Sequence, residues 1–440
     1  MKKLYTLLIA LLAINTAMAQ GCLQEGITFT TQEQIDNFQT DYPGCEEIEG
    51  DVILTGENIT NLNGLNILNL IGGDFLVYST SLINFSGLNA LTIVDGIFWV
   101  IWNDVLIDFS GIGNLNYVGE AFYIGANTNL KKLTGLEGLT SIGGNFSIGT
   151  YGNGGNQSLN SLSGLVNLSL IEGELRIYNN DSLTNLNGLE SLTNIEGDFW
   201  LENNDYLIDL FGLSGLVNIS GSLYLGGPYG GNSSMVSLIG LDNLTTVKNH
   251  FLIYSNISLT NIASLNNLTS IGGNFKISYN NSLNDLIGIE NIDAQSISDL
   301  NITYNYLLSE CEVKSICDYL SEPQGTIVIN DNAPGCNSRE EIEAACLVGL
   351  ENIIQENKLS IFPNPSSSRF TIQFNLENEE QVKLLVLNKL GQVLATLTNE
   401  TLSEGQHELN WNAEGMPAGV YFYNIQIGKQ AGTGKLVLMK

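Results

Sequence analysis

The chain has 440 residues, with 16 Lys and Arg against 46 Asp and Glu and a formal charge of −30. Such an acidic surface excludes nucleic acid as a natural partner and repels anionic membranes. No apolar run reaches the roughly 18 residues needed to cross a bilayer, so no transmembrane segment is expected.

Residues 1–19, MKKLYTLLIALLAINTAMA, combine two lysines, an apolar run and small residues at Ala17 and Ala19, the pattern of a secretory signal peptide. Its removal takes Lys2 and Lys3 and no acid, leaving −32 over 421 residues. Six cysteines in an exported chain predict three disulfides. Cys22 and Cys45, in an N-terminal cap over 20–58, are expected to pair. Cys311, Cys317, Cys336 and Cys346, in a C-terminal cap over 306–348, leave three pairings open.

Between the caps, residues 59–305 repeat. Counting Leu183 as position zero, apolar residues follow at Leu186, Leu189, Leu192 and Ile195, then Gly197, then Phe199 and Leu201 around Trp200. The frame restarts at Ile59, Leu82, Leu106, Leu130, Leu159, Leu183, Leu207, Met235, Leu259 and Leu283, ten coils spaced mostly by 24 residues. A fixed period in the twenties predicts a solenoid. Phe199-Trp200-Leu201 alternates as a strand does, whereas the preceding apolar residues recur every third position and suit tight turns or short 3₁₀ segments. Each coil is therefore expected to give one parallel strand. The glycine at position 14, as in Gly197, is expected to serve a positive φ or a close backbone approach.

Asparagines follow most strands: Asn103, Asn127, Asn180, Asn204, Asn256, Asn280 and Asn305. Stacked at one corner, their amides are suited to satisfy turn backbone that no strand reaches. Two insertions, GTYGNGGNQS and GGPYGGNSS, interrupt this series, and each brings a Tyr, Tyr151 and Tyr229, to the same edge.

The frame L-x-x-L-x-G-L-x-x-L-x-x-I-x-G-x-F-x-I-x-x-N resembles the leucine-rich repeats of receptor L domains, and ITYNYLLSECEVKSICDYL resembles their cysteine-bearing end. The resemblance covers about residues 22–348. It implies a right-handed solenoid used for binding and carries over no ligand-contact residue.

Residues 349–358 read as a polar linker. From Leu359 the periodicity changes to alternation, as in Phe370, Ile372 and Phe374, and VKLLVLNKLGQVLATL reads as a strand pair turning at Asn388 to Gly391. Some seven strands over 359–440 predict a small Ig-like β-sandwich. This segment is similar to the type A C-terminal sorting domain of type IX secretion cargo. The matching residues include Pro363, Asn364, Pro365, Gly391, Gly419 and Tyr421 and the closing Lys435 to Lys440. That resemblance implies passage across the outer membrane of a Gram-negative bacterium, with the secretion machinery as partner, and release of the product or its attachment at the surface.

The expected fold class is thus mainly β, a disulfide-capped leucine-rich or β-solenoid followed by a sandwich. Strand alternation places one outward residue per coil between the inward pair and one after it. Trp99, Tyr123, Arg176, Tyr178, Trp200, Tyr224 and Tyr254 fall on these rows and are the candidate ligand-binding residues, for a glycan or a protein. Cross-strand packing alone also favours aromatics there, and Arg176 is placed to pair with Glu202 one coil away. The two histidines, His250 and His407, have no partner at metal-ligand spacing. No cofactor, metal site or catalytic residue is predicted, and a non-enzymatic binding or adhesion module is expected, with a structural spacer and a glycan-degrading enzyme as the alternatives.

Overall fold

A computed structural model describes residues 21–150, 154–228, 230–346, 359–376, 378–388, 392–428 and 430–439. The signal peptide, the linker, Tyr151, Tyr229 and Gly391 lie outside the described residues. The chain divides into two compact units, one reaching Ser309 and including Glu322–Ala333, the other made of Glu310–Ser321 and Pro334–Lys440.

The first unit holds two long parallel sheets, one of 13 strands and one of 10, whose strands alternate along the chain. The broad sheet contains the alternating segments, such as Phe199–Glu202 and Phe251–Tyr254. The narrow sheet is built from two-residue strands such as Asn194–Ile195, so most coils contribute two strands where one was expected. In each narrow strand a β-branched residue turns inward: Val118, Ile142, Ile171, Ile195 and Ile219 are all fully buried. Position 14 glycines then let the coils close. None has a positive φ; a Cβ on Gly197 would come within 2.7 Å of the Gly173 carbonyl carbon, so close approach is their reason.

The core is one column of side chains per position. Phe75, Phe98 and Phe122 stack in sequence at 4.9 and 4.6 Å between centroids, and leucines continue the column at Leu175 and Leu223. A coil alone leaves these groups wet, whereas its neighbours bury each one, contributing about 1.5–3 kcal/mol per side chain. Both sheets begin before Ile59: Val52 pairs with Phe75 and Ile48 with Ile71. The C-terminal end differs. Ala294–Ser296 forms a 3₁₀ turn capped by Asp293 where the narrow sheet would continue, while Ile327–Asn330 extends the broad sheet.

Cys22 is bonded to Cys45, as their shared place before the repeats predicts, and the open question at the other end resolves as Cys311–Cys336 and Cys317–Cys346. The helix Lys314–Ser321 buries Ile316, Tyr319 and Leu320.

The tail contains two antiparallel sheets among its described residues. Ser360–Phe362, Arg369–Leu376 and Gly405–Asn412 form one, and Val393–Leu402, Glu380–Leu387, Gly419–Ile427 and Gln430–Leu438 form the other. Alternation puts Phe370, Ile372 and Phe374 from the first sheet and Val382, Leu384 and Val386 from the second into a shared core. Trp411 stacks on Phe370 at 5.4 Å, and the Tyr421 hydroxyl donates to the Pro417 carbonyl at 2.7 Å.

Candidate ligand-binding face

Every coil of the broad sheet ends on a tight corner. The residue after the strand takes a left-handed conformation, as in Trp102 (φ 55°), Asn203 (φ 55°) and Tyr279 (φ 62°), which is unfavourable for most side chains. The next residue offsets that cost. Asn204 accepts from the Asn180 backbone N–H at 3.2 Å and donates its Nδ2 to the carbonyls of Ile177 (2.9 Å) and Glu202 (3.0 Å). The same pattern runs from Thr80 to Asn332 without a gap. Asn156 and Asn232, at the far ends of the insertions, accept from Asn127 and Asn204 at 3.2 Å each. The insertions therefore do not interrupt the ladder; after each, an asparagine stands at the same site.

Outward positions form two rows with different environments. Trp99, Tyr123, Arg176, Trp200 and Tyr224 share the first row, in register with Ser147, Leu252, Lys276 and Asn301. Trp99 is 40% exposed, and Tyr123, Arg176, Trp200 and Tyr224 are half-buried. The row is broken into two islands. Trp99 and Tyr123 meet edge to face at 6.4 Å, whereas Trp200 and Tyr224 lie face to face at 3.5 Å and 12°. Each ring of the second pair thus has one face covered by the other.

The second row, at the strand ends, is mostly covered. Alternation predicts Tyr178 to be outward and open; it is buried, as are Ile101, Glu202, Ser278 and Thr303. The corner explains this, because chain leaving one coil packs against the strand end of the next. Gly149 and Gly226 occupy equivalent places where the two insertions depart, with φ of 87° and 79°. A Cβ on either would strike the Tyr178 or Tyr254 carbonyl oxygen, at 1.7 and 1.9 Å, so only glycine fits. Tyr254 stays half-buried beneath Lys276, whose Nζ is 4.9 Å from its ring centroid. Tyr279 and Tyr304, which stack at 4.6 Å, extend from it along the corner. Those two tyrosines escaped the reading of the strands because they sit at the left-handed corner position; their signal was the asparagine following each.

Arg176 forms its ion pair with Glu174 and not with Glu202. Residues two apart on a strand share a face, so the local partner is nearer than the cross-coil one. Glu202 is left as the least expected group of the face. It is 1% exposed, its Oε2 has no hydrogen-bond partner, and burial pushes its carboxyl up to about 7. Gly227 of the second insertion lies directly over it: a Cβ there would be 2.4 Å from Glu202 Oε1. The equivalent residue beside the first insertion is Gly125. Glu202, Trp200, Tyr224, Leu252, Tyr254 and Lys276 line a recess of about 330 Å³. A neighbouring depression of about 440 Å³ shares Tyr224, Leu252 and Lys276 with it and continues toward Asn301 and Val328.

His250 is committed to structure, its Nδ1 accepting from the Asn274 N–H at 3.0 Å. In the tail, Asn364, between Pro363 and Pro365, ties the motif to the last strand, donating to the Lys435 carbonyl at 2.7 Å and accepting from the Val437 N–H at 2.9 Å. Gly419 opens the strand that carries Tyr421.

Residues 360–439 match the secretion system C-terminal sorting domain family. The tail carries the export signal. It directs the protein through the type IX secretion system to the cell surface or the extracellular space, as in Bacteroidetes, and makes the secretion machinery its partner. No curated protein matches the chain. Among the described residues no helix is long and apolar enough to cross a membrane.

Proposed function

We propose that the solenoid is a receptor L domain-like leucine-rich repeat module, delivered by the sorting domain and used without catalysis to bind a glycan or protein at the cell surface. The observation that carries this reading is the broad sheet's first row, where Trp99, Tyr123, Trp200 and Tyr224 keep part of their surface in water instead of in the core. Large apolar side chains grouped on a rigid open sheet supply contact area at little entropic cost. The leucine columns and the once-per-coil asparagine support the repeat assignment.

The test is a binding screen of the purified chain against polysaccharides and surface extracts, repeated with Trp99→Ala/Trp200→Ala. Saturable binding lost in the double variant supports recognition on this face. A second reading, a structural spacer, is favoured by the self-stacking of Trp200 on Tyr224, which consumes ring faces. It predicts no saturable ligand.

A further inference from the structure

The recess beside the second insertion differs from the rest of the face in three respects that point to one ligand chemistry. First, the wall is a ring with a free side. Trp200 and Tyr224 lie parallel at 3.5 Å on neighbouring strands, so their ring normals run along the solenoid. Trp200 covers one face of Tyr224, and the other looks over Leu252, its register partner in the next coil. Second, the buried Glu202 borders the recess with an oxygen that no donor reaches. An unpaired buried acceptor costs about 1–3 kcal/mol, which a ligand hydroxyl would recover. Third, Lys276 brings donors to the opposite rim, its Nζ held over Tyr254.

The charges select the ligand. A cation would face Lys276 and an anion would face Glu202, so neither sign is favoured. A neutral ring with an apolar face and a rim of hydroxyls that both donate and accept matches all three features. We propose that this recess, over the coils from Leu183 to Asn280, binds neutral pyranose units of a glycan, with Tyr224 as stacking platform and Glu202 as hydroxyl acceptor. The inference rests on the reading of the broad sheet as a binding face. The adjoining depression shares Tyr224, Leu252 and Lys276, so the site has room beyond a single ring. A pyranose stacked on Tyr224 lies with its plane across the solenoid axis, its rim hydroxyls facing Glu202 and Lys276.

The test is calorimetric titration of the purified full chain with cello-, xylo-, manno-, laminari- and chitohexaose. A heparin hexasaccharide and hexalysine serve as charged controls. At least one neutral hexasaccharide is expected to bind. Tyr224→Ala should weaken it by about tenfold or more, and Glu202→Leu, which removes the acceptor without leaving a cavity, by about fivefold or more. Val166→Ala, an exposed residue outside the broad sheet, should stay within about twofold. Glu202→Leu discards a buried charge and is expected to keep the fold, so it decides the matter if Tyr224→Ala does not. Saccharide binding that survives both variants, or binding of a charged control alone, overturns the recess proposal and leaves the wider binding face standing. Binding of a protein from surface extracts with no saccharide bound does the same. Absence of any saturable ligand, saccharide or protein, overturns both.

Discussion

The asparagine corner and the aromatic row are two once-per-coil series written by the same repeat, and they treat irregularity in opposite ways. The corner is continuous from Thr80 to Asn332, even where a coil is five or four residues longer than the 24-residue period. The row is interrupted: Ser147 and Arg176 separate its aromatic pairs, and Leu252 and Lys276 end it. The corner amides satisfy backbone groups that have no alternative in a dry interior, so a missing member strands several donors and acceptors at once. An outward side chain answers only to its neighbours and to whatever binds there. What varies along the solenoid is therefore the surface, and the surface is where specificity can be written.

The contrast can be broken most severely at the corner. Asn204→Ala leaves the Asn180 N–H without its acceptor and takes a donor from the Ile177 and Glu202 carbonyls, and should cost about 3–5 kcal/mol of solenoid stability in denaturant unfolding. A loss below about 1 kcal/mol would mean that water replaces the amide. Next comes the covalent N-terminal cap of the solenoid. Cys22→Ser/Cys45→Ser opens a link spanning 23 residues and should lower stability by about 2–4 kcal/mol, read as a shift in the denaturation midpoint.

Glu202 sharpens the comparison through pH. Its folded carboxyl is raised from the ordinary 4.5 to about 7, so between those values the folded chain holds a proton that the unfolded chain has released. Stability contributed by this group is therefore full below the ordinary value, falls as pH rises toward 7 and stays lower above it. Measured against Glu202→Gln, which does not titrate, the native chain should match the variant at pH 4 and be less stable by about 1–3 kcal/mol at pH 8. A difference that does not change with pH would show Glu202 to be solvated. The smallest effect belongs to the row: Trp99→Ala should cost about 0.5–1.5 kcal/mol, because the ring is 40% exposed and meets Tyr123 only edge to face.

Much of this organisation was legible in the sequence, for identifiable reasons. The leucine frame marks inward columns because every coil must bury the same positions, and the Cys22–Cys45 pair stood apart from the other four cysteines. The tail announced itself by alternation and by several motifs in order. The narrow sheet was not legible, since Asn194–Ile195 is too short to show a period of two. Asn156 and Asn232 were hidden by spacing, because an insertion shifts the residue number and not the place to which the chain returns. Tyr178 and Glu202 were misread as open for a related reason: alternation reports which way a side chain leaves the strand, and the neighbouring corner decides what then covers it. The burial of Glu202 had a signal in hindsight, a glycine-rich insertion one coil beyond an outward carboxylate.

The central claim is that the exposed row serves recognition while the buried ladder serves the fold. Its most direct test is to measure ligand binding from surface glycan and protein extracts together with thermal unfolding for the native chain and for Trp200→Ala/Tyr224→Ala. The account predicts that binding is lost while the melting temperature falls by only a few degrees. Retained binding in a folded double variant, or a solenoid that no longer folds without the stacked pair, would contradict it.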